Sequence, residues 1–63
     1  MNLEKIGNEL KKARESKGLT QTEVAKKVGL HYNSYAKIER GELQPSLKTL
    51  DKIYKALGLK FPF

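Results

Sequence analysis

The stretch that decides the fold is QTEVAKKVGLHYNSYAKIER, residues 21–40. Its apolar residues fall at helical spacing on both sides of Gly29, which predicts two short helices joined by a tight turn. The inward-facing positions of this pair are Val24, Ala25, Val28, Leu30, Tyr35 and Ile38. Ala25 is small where the two helices would cross, and Gly29 stands where the turn needs a positive φ. The pattern therefore predicts a helix-turn-helix over 21–40, with the second helix running from about Tyr32 to Arg40.

Capping signals extend the helical prediction on both sides of this pair. Thr20 and Glu23 form a capping box that starts the first helix of the pair. Upstream, an amphipathic helix is predicted over 3–17, with Asn2 as its N-cap. Downstream, Ser46 caps a fourth helix. The apolar stripe of this fourth helix is Leu47, Leu50, Ile53, Tyr54 and Leu57.

Length and composition set the class of domain. With 63 residues, of which 38% are hydrophobic and 32% charged, the chain can form one globular domain over 1–63, of marginal stability. We expect an all-α fold, a compact bundle of four to five helices with a short extended C-terminal tail. Gly7 lies inside the first helix, where it costs about 1 kcal/mol relative to alanine. It either marks the close approach of another backbone or weakens the first turns, and we favour the close approach. Because cysteine is absent, no disulfide can add stability, so the fold must depend on close helix packing or on a partner subunit, and we favour the partner subunit.

Charge and motif content narrow the classes of function. A net charge of +6 suits a polyanionic partner, although solvated lysine faces give the same balance. A single histidine, no Gly-rich phosphate loop and no clustered acid–base set argue against an enzyme, and we expect no metal or cofactor. The N-terminus lacks the pattern of a signal peptide, and no apolar stretch approaches the ~20 residues of a membrane span. We therefore expect a cytoplasmic protein that does not bind membranes.

The paired helices indicate DNA binding. A second helix that projects from the body is what entry into the major groove requires, whereas a generic helical hairpin would not need this joint spacing of glycine and apolar positions. The outward residues counted from the turn, which we predict to contact bases, are Tyr32, Asn33, Ser34 and Lys37. Asn33 can pair with adenine N6 and N7, and Lys37 can donate to guanine O6 and N7. The residues that we predict to contact DNA phosphates are Thr20, His31, Arg40 and Arg14. Ser34 and His31 fit a base contact and a phosphate contact equally well.

Five short motifs carry a family resemblance. They are Gly18-Leu19-Thr20-Gln21, Glu23-Val24-Ala25, Val28-Gly29-Leu30, Ile38-Glu39-Arg40-Gly41 and Pro45-Ser46-Leu47-Lys48-Thr49-Leu50. Together they resemble the helix-turn-helix domain of the phage repressor and Cro type, also called the xenobiotic-response-element family. The resemblance implies an all-helical, repressor-like bundle, a bond from Gln21 to a DNA phosphate, and an ion pair between Arg14 and Glu39. The chain departs from the family at Tyr35, where a branched aliphatic residue is usual, so its hydroxyl must reach a partner or solvent. The short proline-containing tail also takes the place of a fifth helix.

Assembly and partners follow from these patterns. We expect a homodimer that binds a palindromic operator in double-stranded DNA and acts as a transcriptional regulator, most simply a repressor. The resemblance also implies an alternative, an antitoxin that binds a toxin protein and regulates its own operon. Leu59, Phe61 and Phe63 fall on one face of an extended segment. These three residues either pair with a second chain as the dimer contact or fold back to seal the core of the monomer.

Overall fold

The computed structural model describes residues 2–60, and four α-helices account for most of them. They are α1 (Leu3–Ser16), α2 (Gln21–Val28), α3 (Tyr32–Glu39) and α4 (Leu47–Ala56). No strand occurs within residues 2–60, so the prediction of an all-α fold is confirmed. The helix bounds agree with the predicted ones to within one or two residues.

Each helix begins where the sequence places a polar cap. The four N-caps are Asn2, Thr20, His31 and Ser46. The capping box at the start of α2 is complete: Glu23 N donates to Thr20 Oγ1 at 3.1 Å, and Thr20 N donates to Glu23 Oε1 at 2.8 Å. These bonds satisfy backbone N–H groups that the first turn of a helix leaves without partners. Helix α2 has only eight residues, so this local support matters for its stability.

The turn between α2 and α3 depends on Gly29. Its φ of 72° lies in the left-handed region, which a residue without Cβ adopts at no steric cost. The chain then reverses so tightly that Leu30 N donates to Ala25 O at 2.9 Å. This bond closes the end of α2 in the manner of a left-handed C-cap, and it sets the direction in which α3 leaves the turn.

The core lies between all four helices. Helix α3 packs against α1 and α2, and α2 also packs against α4. The buried apolar residues are Leu10, Val24, Ala25, Val28, Tyr35, Ala36, Ile38, Leu50, Ile53, Tyr54 and Leu57. One residue of the predicted stripe on α4 is an exception, because Leu47 is 58% exposed. Its helical phase is that of the stripe, but it is the first residue of α4, where the helix has not yet reached the core.

The backbones of α1 and of the end of α3 come into direct contact at Gly7. A Cβ on Gly7 would overlap the carbonyl oxygen of Glu39 and would lie 2.7 Å from the carbonyl oxygen of Ile38. The close approach favoured for Gly7 is therefore confirmed. Because these neighbours are backbone atoms, they cannot rotate away from a larger residue.

The chain after α4 packs against the core at Leu59. Leu59 is half-buried, packs against the core cluster, and its N–H donates to Tyr54 O at 2.8 Å. Leu59 is thus placed as the core-sealing alternative requires. Phe61 and Phe63 lie outside the described residues, and the dimer contact through these three residues stays a prediction.

No helix in the described part of the chain is both long enough and apolar enough to cross a lipid bilayer.

Candidate nucleic-acid interface

The outward face of α3 carries the residues predicted to contact bases. Tyr32, Asn33 and Lys37 are exposed, and Ser34 is half-buried. Asn33 and Lys37 are four residues apart, so their side chains leave the helix on one stripe, one turn from each other. Neither side chain forms a hydrogen bond or an ion pair with any residue of the described chain. The structure therefore presents an amide and an ammonium group side by side to solvent, both able to donate hydrogen bonds.

The N-cap of α3 is His31, which the sequence also suggested as a DNA contact. Its ring is exposed, and Nδ1 accepts from Asn33 N at 3.4 Å. Because Nδ1 accepts this bond, Nε2 is the ring nitrogen left to donate to another partner. Within residues 2–60, no group of three or more His, Asp or Glu side chains is arranged to hold a metal ion.

Arg14 and Glu39 form an ion pair across α1 and α3. Arg14 Nε donates to Glu39 Oε2 at 2.6 Å, and Nη2 donates to Oε1 at 3.2 Å. Only 12% of the Arg14 side chain and 2% of the Glu39 side chain are exposed. Arg14 Nη1 also donates to Leu19 O at 2.8 Å, which ties the pair to the loop before α2. The two side chains thus link three segments of the fold.

Hydrogen bonds stabilise the charged forms of both Arg14 and Glu39. Burial acts to raise the pKa of Glu39, but the hydrogen bond from Arg14, the nearby Tyr35 hydroxyl and the hydrogen bond from Gln21 outweigh it and hold that pKa below its ordinary value. The hydrogen bond to Glu39 raises the pKa of Arg14. Both groups are therefore charged at neutral pH. Because the Arg14 guanidinium is turned inward, it is poorly placed for the phosphate contact that the sequence also suggested for it.

Gln21 is the first residue of α2 and belongs to the same network. Its Nε2 donates to Glu39 Oε1 at 3.0 Å, and its side chain is half-buried. A carboxylate can only accept hydrogen bonds, so it fixes the amide nitrogen toward Glu39. One N–H of that nitrogen remains for another acceptor. Thr20, one residue earlier, is exposed and uses its oxygen to cap the helix.

Arg40 follows α3 and lies in solvent. It donates two hydrogen bonds to Glu42, from Nε to Oε2 at 3.0 Å and from Nη2 to Oε1 at 3.2 Å. Both side chains are about half exposed, at 53% and 54%. An exposed pair of this kind is weak, so a phosphate could take the place of the Glu42 carboxylate. Sequence reasoning missed the contacts of Arg40 with Glu42 and of Gln21 with Glu39, although Glu42 lies only two residues beyond Arg40.

The Tyr35 hydroxyl contradicts the expectation that it reaches a partner or solvent. The side chain is fully buried, and its oxygen lies near the Glu39 carboxylate without a hydrogen bond of standard geometry to any described residue. Burial, together with the negative charge of Glu39, raises the pKa of Tyr35. Both oxygens of this carboxylate accept hydrogen bonds from Arg14, and Oε1 also accepts one from Gln21.

Replacing this hydroxyl tests the arrangement. We expect Tyr35→Phe to leave the free energy of unfolding unchanged or to raise it by up to about 1 kcal/mol, because an unsatisfied buried hydroxyl is lost. Tyr54→Phe is the matched control: Tyr54 Oη donates to Glu9 Oε1 at 2.6 Å, so its loss should cost about 1 kcal/mol. Urea denaturation of both variants measures the difference. Equal losses of unfolding free energy in the two variants would contradict the conclusion that the Tyr35 hydroxyl lacks a hydrogen-bond partner.

The geometry of capped α2, glycine turn and exposed α3 defines a helix-turn-helix protein. A profile of the helix-turn-helix family matches residues 10–63, and the chain belongs to this family.

Three relatives are named as regulators. The chain is 42% identical over 58 residues to an uncharacterized SPbeta prophage-derived HTH-type transcriptional regulator, YonR, of Bacillus subtilis, covering 92% of this chain and 54% of the relative. It is 38% identical over 55 residues to the immunity repressor protein of Bacillus phage phi105, covering 87% of this chain and 38% of the relative. An uncharacterized HTH-type transcriptional regulator of Methanocaldococcus jannaschii is 43% identical over 53 residues, covering 84% and 80%. The chain thus spans about half or less of the first two relatives. No solved structure gave a significant match to the chain.

Proposed function

We propose that this protein binds double-stranded DNA by inserting α3 into the major groove, and that it regulates transcription as a repressor. The observation that carries the proposal is the exposed stripe of α3, where Asn33 and Lys37 stand one turn apart without partners in the described chain. Adenine and guanine edges in the major groove match these two groups. Tyr32 and Ser34 flank them as further base contacts. The repressor role is supported by similarity to the phage immunity repressor.

Phosphate contacts would fix the position of α3 in the groove. Gln21 is suited to this because Glu39 already holds its amide, so little side-chain entropy is lost when the remaining N–H meets a phosphate. The free N–H groups at the start of α2 add a partial positive charge at the same point. Arg40 would exchange Glu42 for a phosphate, and Thr20 and His31 lie at the two helix starts. Arg14 does not touch DNA in this arrangement. It holds Glu39, and Glu39 in turn orients Gln21.

Two copies are expected to bind together. A palindromic operator presents two half-sites about 34 Å apart, and a dimer with two-fold symmetry places one α3 in each. The tail residues Leu59, Phe61 and Phe63 are our candidates for the dimer contact.

Selection of bound sequences from a random duplex library tests the proposal. We expect a palindromic consensus with the wild-type chain, since each half-site is read by one α3. Failure to enrich any sequence would contradict sequence-specific binding. An enriched site without symmetry would contradict the dimer alone.

A pair of variants separates base contacts from phosphate contacts. Asn33→Ala should cost about 1–3 kcal/mol at one base pair of the selected site and relax the preference there. Gln21→Ala should weaken binding to all sequences alike, because a phosphate carries no sequence information. Competition binding with single-base variants of the site measures both. Uniform loss in both variants would rule out Asn33 as a base contact.

A further inference from the structure

A groove between the C-terminal ends of α2 and α4 has a strong positive charge. Four lysines line it, Lys26 and Lys27 from α2 and Lys52 and Lys55 from α4, with Val28, Gly29 and Ala56 between them. All four are exposed. We call this surface the lysine groove. Its members lie far apart in the sequence and meet only because α2 packs against α4.

The charge of the lysine groove is mostly unpaired. Lys55 Nζ lies 3.1 Å from Asp51 Oδ2, one turn earlier on α4. Lys26, Lys27 and Lys52 form no ion pair within the described residues, and no carboxylate is among the residues that line the groove. The C-terminal ends of two helices, with their partial negative charge, reduce the repulsion between these lysines in the folded chain. The surface is therefore stable enough to form and still favours a polyanion.

The position of the lysine groove follows from the length of α2. A helix of eight residues is about 12 Å long, which is close to the width of the major groove. Gln21 begins this helix, and Lys26 and Lys27 lie in its last turn. Gly29 lines the groove and belongs to the turn that leads into α3. A helix of this length that lies across the major groove can reach the two backbones that border it with its two ends.

We propose that the lysine groove contacts the DNA phosphate backbone opposite the one that Gln21 contacts. This inference rests on the proposed DNA binding and extends it to a second row of phosphates. Lysine suits the role because its ammonium group is a point charge on a flexible stem, which can follow a backbone without fixed geometry. The contacts add affinity without reading sequence.

The test compares two double variants on a duplex of 20 random base pairs. Lys26→Gln/Lys52→Gln removes two charges of the lysine groove that have no ion pair, and glutamine keeps the helix propensity close to that of lysine. Lys5→Gln/Lys12→Gln is the control, with two exposed lysines on the face of α1 opposite the buried Leu10. Binding is measured between 50 and 200 mM salt, and thermal unfolding checks that both variants are folded.

The expected result is a change in salt dependence for the groove variant alone. Each phosphate contact contributes about −0.9 to the slope of log K against log salt, so losing two should make the slope shallower by about 1.8 for each bound protomer. Over this fourfold range of salt, the loss of affinity should become about 10-fold smaller for each bound protomer than for the wild type. Equal slopes in the two variants would overturn the lysine groove as a DNA contact while leaving binding by α3 intact. If the wild type does not bind the duplex even at 50 mM salt, the proposed DNA binding is contradicted as well, because phosphate contacts bind DNA of any sequence at low salt.

Discussion

Replacing Glu39 by alanine should cost the domain about 3–5 kcal/mol, because it leaves the Arg14 charge without a partner where only 12% of that side chain meets solvent. Gln21 loses its acceptor in the same step. A domain of 63 residues has a total stability of only about 3–9 kcal/mol, so this loss removes at least about a third of it. Thermal unfolding followed by circular dichroism measures the effect.

The exposed pair of Arg40 and Glu42 provides the matched control for Glu39. It has the same bidentate geometry, with distances of 3.0 and 3.2 Å, but lies in solvent. Glu42→Ala should therefore leave the melting temperature almost unchanged. A double-mutant cycle of Arg14→Met and Glu39→Leu should show strong coupling, with the double variant more stable than the sum of the single losses implies. Absence of coupling would contradict the role given to the buried pair.

The same carboxylate should make stability depend on pH in the acid range. The pKa of Glu39 is lower in the folded chain than its ordinary value of 4.5, so the folded state favours the charged form. Its contribution is present above the unfolded pKa and is lost as the pH falls through the folded pKa. We expect the wild type to lose stability below pH 4.5 more steeply than Glu39→Gln, in urea denaturations repeated from pH 7 to pH 3. Parallel pH profiles would show that Glu39 is not the group responsible.

Gly7→Ala should lower stability by at least about 2 kcal/mol, even though alanine is the better helix former by about 1 kcal/mol. The added methyl group meets the carbonyl oxygens of Ile38 and Glu39, which are backbone atoms, so α1 and α3 must move apart. In a domain of this size, such a loss lowers the melting temperature by about 10–15 °C.

Asn8→Ala is the control for Gly7. It makes a similar gain in helix propensity at the neighbouring position, where the side chain is exposed, and should leave the melting temperature unchanged or raise it. If Gly7→Ala melts at or above the wild-type temperature, the contact between α1 and the end of α3 is not as close as the structure gives it.

The sequence by itself determined the helices and their order. The Thr20 and Glu23 capping box and the left-handed Gly29 act within a few residues of where they stand, so their effect could be predicted without any knowledge of tertiary contacts. The spacing of apolar residues likewise predicted which face of α2 and α3 is buried, because helical periodicity repeats over one turn. The outward position of Asn33 and Lys37 follows from the same periodicity.

Only the tertiary structure decided how the helices meet. It oriented the amide of Gln21 toward Glu39, left the Tyr35 hydroxyl buried without a well-aligned acceptor, and placed Leu47 outside the core. It also gathered the lysine groove from two helices separated by α3 and a loop. These features depend on the distances between helices, which are set when side chains from distant parts of the chain pack at close to crystalline density. Local spacing fixes which side of a helix faces inward, and packing alone fixes which groups it finds there.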